Sequence, residues 1–213
     1  MATILELLNS DFGKQLIQGT SAETGADENK TAQVVSMAMP LLLGAMKKNA
    51  SDEHGAENLL NALNSKHDGS ILDNLGGIFG SSQSESVIND GAGILKHVLG
   101  DKQTGVENAL SQKSGLDAGT VGKILKIAAP ILLGVLGKET RKSNVNNSGD
   151  LMDVLGNVLG GKNNPDQNLL ESILDSNGDG SIMDDIAGMV LGGNSSNKKS
   201  GGLGGLLGGL FKK

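Results

Sequence analysis

The segment MAMPLLLGAM, residues 37–46, decides the fold, because almost nothing in it is polar and a proline sits near its middle. It returns as AAPILLGVL at residues 128–136, with Pro40 answered by Pro130 and Gly44 by Gly134, each 90 residues on. Working outward, Val34, Val35, Met37, Ala38, Met39, Leu41, Leu42, Leu43, Ala45 and Met46 leave almost no polar face. The copy runs through Ile124, Leu125, Ile127, Ala128, Ala129, Ile131, Leu132, Leu133, Val135 and Leu136. A helix that is apolar all round belongs inside a protein, so we read two buried central helices. Proline has no N–H to give to the carbonyl four residues back, here that of Ser36 or Lys126, which predicts a kink or a restart at each.

The flanks repeat as well. Thr24 with Asp27 and Ser114 with Asp117 both have the Ser/Thr-x-x-acid spacing of a capping box, so the two central helices are expected to open alike. Upstream, Thr3 and Glu6 have the same spacing before Ile4, Leu5, Leu7 and Leu8, and predict a first helix. Ser10 is expected to cap a second, through Phe12, Leu16 and Ile17, that ends at Gly19. Downstream, each copy closes on a related motif: HDGSILDNLGGIFG at residues 67–80 and GDGSIMDDIAGMVLGG at residues 178–193. Ser70 with Asp73 and Ser181 with Asp184 are read as further capping boxes. Gly44 lies 24 residues before Asp68 but Gly134 lies 45 before Asp179, so the second copy carries an insertion of 21.

Helices are also expected over residues 87–99, 106–110, 151–159 and 169–174, while alternating β-branched runs are missing. The fold class is therefore all-α and multihelical, with two divergent helical repeats packed around buried apolar central helices. Residues 1–110 form the first repeat with its connecting helices. Residues 111–193 form the second with its insertion, and residues 194–213 a flexible linker and an amphipathic Gly/Leu tail.

The acid-led helix entering MPLLLG, repeated as APILLG, together with DGSILDNLGG and DGSIMDDIAG, resembles the YidB-like bacterial proteins, a family of unknown function. The resemblance covers most of residues 1–193 and implies a multihelical fold around a buried helix. It brings no catalytic residues with it.

Composition removes several functions. A net charge of −6 and only three aromatic residues, Phe12, Phe79 and Phe211, supply neither the basic face nor the stacking platforms of a nucleic-acid binder. No cysteine is present, which excludes disulfides, thiolate zinc sites and cysteine nucleophiles. The first residues, MATILELLNSDF, lack a basic n-region and a long apolar run, so a cytoplasmic chain is expected. The longest apolar-rich stretch is read as residues 34–46, shorter than the roughly 20 residues of a bilayer span, and a membrane protein is not expected.

The sharpest candidate for chemistry is the run Asp175, Asn177, Asp179, Gly180, Ser181 and Ile182. Oxygen side chains at alternate positions, then glycine at the turn and a carbonyl beyond, are how an EF-hand loop surrounds Ca²⁺. Ile186 stands where that loop needs its bidentate Glu, so Asp184 or Asp185 would have to close a shortened loop. In the first copy Lys66 falls at the third position and argues against a site there. A turn with a helix cap is the competing explanation of DGS in both copies. His54, His67 and His97 lie in polar runs with no catalytic spacing and read as surface residues. Asp52, Glu53 and Glu57 read as a solvated helix start.

In the tail, Leu203, Leu206, Leu207, Leu210 and Phe211 fall at i, i+3, i+4, i+7 and i+8, an apolar helical stripe followed by Lys212 and Lys213. The expectation is a non-enzymatic interaction or scaffold protein, with calcium as its one candidate cofactor, whose tail engages a protein partner or a second copy. The alternative is a protein that binds a small apolar ligand or lipid in an interior lined by Met37, Met39 and Met46.

Overall fold

The computed structural model describes residues 2–160. Helices α1 (Ile4–Asn9) and α2 (Asp11–Thr24) lead into α3 (Glu28–Asn49), which carries Pro40. Helix α4 (Glu53–Ser65), a 3₁₀ turn (Ser70–Asn74), α5 (Leu75–Ile78) and α6 (Ser82–Leu99) come next. A second 3₁₀ turn (Gly100–Lys102) leads to α7 (Gln103–Ser114), α8 (Ala118–Lys142), which carries Pro130, and α9 (Ser148–Leu159). No strand forms among the described residues, so the chain is all-α and multihelical.

Helices α3 and α8 lie against each other, and their apolar residues make up much of one core with Leu16, Leu63, Leu95, Leu151 and Leu155. Neither proline breaks its helix. Both helices run through as continuous turns, with Pro40 and Pro130 buried, so the expected restart does not occur. Helix α8 is long and apolar enough to cross a membrane by length and composition, with a mean hydropathy of 1.6 over 18 residues, yet 78% of that window is buried inside the protein. The apolar run that the sequence shows at residues 34–46 is thus the shorter of the two. The tertiary environment of both is protein.

The starts of the two central helices are set by acids. Asp27 accepts from the Lys30 N–H at 3.0 Å and Asp117 from the Thr120 N–H at 2.9 Å, so the caps are these aspartates and not Thr24 and Ser114. Thr24 and Ser114 end the preceding helices instead, each returning its hydroxyl to the carbonyl four residues back, Thr20 at 2.7 Å and Leu110 at 2.7 Å. Between each such end and each cap lies a glycine in the left-handed region, Gly25 at φ 69° and Gly115 at φ 68°. Across each turn a serine hydroxyl reaches a carbonyl five residues on, Ser21 to Ala26 and Ser111 to Leu116. The expected stop at Gly19 is also corrected: α2 continues to Thr24, because Gly19 serves packing, its missing Cβ leaving room for the Phe79 ring. At α1 the Thr3–Glu6 capping box forms with both of its bonds.

The helices that come after each central helix reach across to the other. Helix α4 packs on α8, and α9 packs on α3 as well as on α8, while α2 and α7 each touch both.

Candidate functional site

Several titratable side chains gather at the stretch between α4 and the first 3₁₀ turn. It is residues 66–71, KHDGSI, laid across the C-terminal half of α8. Two glycines on α8 allow the close approach. A Cβ on Gly137 would run into the His67 carbonyl, and one on Gly134 into Ile71, with Leu72 at 3.3 Å. Gly69, at φ 98°, turns the chain there, in a conformation that residues with a Cβ rarely adopt.

Ser70 does not cap as the spacing suggests. Gly69 precedes the 3₁₀ turn without a side-chain bond, and it is Asp68 that accepts, taking the Ser70 N–H at 3.0 Å. The other Asp68 oxygen meets Arg141 Nη2 at 3.1 Å, which ties the turn to the end of α8. Hydrogen bonding from Ser70, then the Arg141 charge, holds the Asp68 carboxyl below the usual carboxylate range.

His67 overturns its reading as a surface residue: it is only 7% exposed, whereas His54 and His97 are exposed. Its Nε2 lies 3.7 Å from Asp90 on α6, beyond hydrogen-bond length, and Lys66 Nζ lies 3.7 Å from the other Asp90 oxygen. Burial pushes the imidazole below its ordinary pKa against the pull of Asp90, and the Lys66 charge adds to the fall. Through the Asp68–Arg141 pair and the seat of the His67 carbonyl on Gly137, the turn is a latch between α4 and α8, with Asp90 of α6 alongside. Residue-by-residue reading misses it because the signal is a contact between distant segments, Gly137 of α8 under the His67 carbonyl and Gly134 under Ile71.

Beside the latch lies an open cleft of about 430 Å³ lined by Ser70, Ile71, Asn74, Ile78, Gln83, Ser86 and Val87. Phe79 seated on Gly19, and Glu23 accepting the Gly80 N–H at 3.1 Å, fix α5 beside it.

The other candidates stand apart. Asp52 caps α4 through the Gly55 N–H, with Glu53 in the first turn, which is the solvated helix start expected of that acidic run. Met37, Met39 and Met46 are buried in the core cluster. No group of three or more His, Asp or Glu able to hold a metal occurs among the described residues. The loop of Asp175, Asn177, Asp179, Ser181, Asp184 and Asp185 and the stripe of Leu203, Leu206, Leu207, Leu210 and Phe211 lie outside the described residues.

Fold and site together define an all-α protein in which two buried proline-bearing helices pair and the second, α8, carries a latched turn on its glycine face. A family model described as "Bacterial protein of unknown function (DUF937)" matches residues 6–139, from α1 almost to the end of α8. The chain belongs to that family, which includes the YidB-like proteins. No curated protein and no solved structure matches it.

Proposed function

We propose that the protein is a non-enzymatic, cytoplasmic interaction protein whose helical body receives the Gly/Leu tail of a second copy, or lends its own to a protein partner. The observation that supports this most is the open cleft. Ile71, Ile78 and Val87 give it apolar walls, and Ser70, Asn74, Gln83 and Ser86 a polar rim. The tail has the complementary pattern, a leucine stripe with glycines opposite, which is how helix-in-groove recognition is read from sequence. Burial of Met37, Met39 and Met46 in the core favours this reading over an apolar-ligand cavity.

Deleting residues 203–213 tests it, by size-exclusion chromatography with light scattering and by tagged pull-down. Loss of self-association or of a specific partner, reproduced by Val87→Asp in the cleft, is the expected result. Unchanged association and an unchanged set of partners would remove the reading.

Calcium is a separate proposal carried by Asp175, Asn177 and Asp179. The counterpart Asp68 already has a role without metal, bonded to Ser70 and Arg141. Thermal unfolding should therefore be measured with and without millimolar Ca²⁺. Stabilisation that disappears in Asp175→Ala and Asp179→Ala supports the loop, and no shift in the parent protein refutes it.

A further inference from the structure

We propose that residues 179–183, DGSIM, seat on α3 over Gly44, as residues 68–72, DGSIL, seat on α8 over Gly134. Gly44 and Gly134 hold the same place in the two proline-bearing helices, four residues after the proline. At Gly134 that place is filled by Ile71 and Leu72, and the glycine is buried. At Gly44 a Cβ would meet nothing within 4 Å among the described residues, and the glycine is partly exposed. One helix has its covering segment; the other shows a notch of the same kind that none of the described residues fills.

The repeat says which segment fits. The helix after α3 packs on α8, and the helix after α8 packs on α3 as well as on α8, so the chain leaves α9 within the reach of α3. The segment after α4 is DGSIL; the matching one beyond α9 is DGSIM, with Asp179 for Asp68 and Ile182 for Ile71. Reach is ample. About 20 residues separate the end of α9 from Asp179, up to roughly 60 Å of extended chain, against a helix of about 33 Å in α3.

Charge agrees. Residues 175–185 carry Asp175, Asp179, Asp184 and Asp185 and no basic residue, and Lys47 and Lys48 stand in the last turn of α3 beside Gly44. Neither lysine has a carboxylate within 4 Å among the described residues. They offer the cation that Arg141 supplies to Asp68 on α8. One position departs: Lys47 replaces the glycine of position 137, so the backbone cannot lie as close there as the His67 carbonyl does. The seat on α3 is accordingly made by Ile182 at Gly44, with Asp179 toward the lysines.

The chain has no cysteine, so a pair can be introduced cleanly. Full-length Gly44→Cys/Ile182→Cys, mildly oxidised and mapped by peptide mass spectrometry, should form an intrachain disulfide at several times the yield of a control pair, Gly93→Cys/Ile182→Cys. Gly93 is exposed, with open space at its Cβ, on α6. Intrachain yield equal to the control overturns the proposal, as does a disulfide found only between chains, which would make a second copy the occupant. A cysteine at Gly44 crowds the seat it reports on, so Gly44→Ala supplies a second reading in the full chain. Over an empty notch alanine raises the melting temperature of a helix; beneath Ile182 it lowers it, and Ile182→Ala abolishes the loss. A rise in melting temperature for Gly44→Ala contradicts the proposal.

Discussion

Thr31, in the first turn of α3, and Thr20 in α2 are fully buried, and neither hydroxyl has a hydrogen-bond partner among the described residues. An orphaned buried hydroxyl costs about 1–3 kcal/mol, and an apolar residue of the same shape removes that cost. Ninety residues on, Val121 and Leu110 occupy the corresponding positions, both buried. Thr31→Val is therefore expected to raise the unfolding free energy by about 1 kcal/mol, measured by urea denaturation; a loss of that size would mean the hydroxyl is bonded. His67 sets a pH dependence. Its folded pKa lies below the ordinary 6.5, so the stability it contributes is complete above pH 6.5 and is lost as pH falls through the folded value. An NMR titration should place the imidazole midpoint below 6.5, and His67→Gln should flatten the fall in stability with acid. A midpoint above 6.5 would contradict the burial argument. Residues of this kind are legible only in part. The spacing points to the correct acids at Asp27 and Asp117 but credits the wrong partner, because a Thr or Ser that ends one helix sits three residues before the Asp that starts the next. His67 lies in a polar run, and only the fold brings it under cover.

At the scale of elements, the crossing of α6 over α8 shows what a mid-helix proline leaves behind. Pro130 has no N–H for the Lys126 carbonyl, and it is that carbonyl which Gly91 of α6 approaches, so that a Cβ on Gly91 would collide with it. The freed acceptor thus faces the Cα of a glycine, an arrangement suited to a weak C–H···O contact. Gly91→Ala should destabilise by about 1–3 kcal/mol through overpacking, while Gly93→Ala, two residues along the same helix with open space around it, should stabilise by about 0.5–1 kcal/mol. Opposite signs in thermal melts check this; equal signs would remove the crossing as the reason. The sequence shows the prolines and the Gly-Ala-Gly run separately, and nothing local pairs a carbonyl at 126 with a glycine at 91. The helices themselves are legible from apolar spacing, with ends misjudged where a glycine packs instead of stopping a helix, as Gly19 does beneath Phe79.

For the whole molecule, the apolar density of residues 34–46 and 124–136 foretells the core because segments with no polar face have nowhere else to go. The latch over α8 is not legible, since it joins residues 66–71 to residues 134–141, and the cleft beside it, though lined by residues 70–87, arises only where α5 and the first 3₁₀ turn fold back on α6. The central claim is that α3 and α8 share one core and open only together. Native-state hydrogen exchange tests it most directly. The amides of residues 34–46 and 124–136 should be the slowest in the protein and should exchange with one common free energy, equal to that of global unfolding. Exchange of either helix at a distinctly lower free energy than the other would show two separate cores and contradict the account.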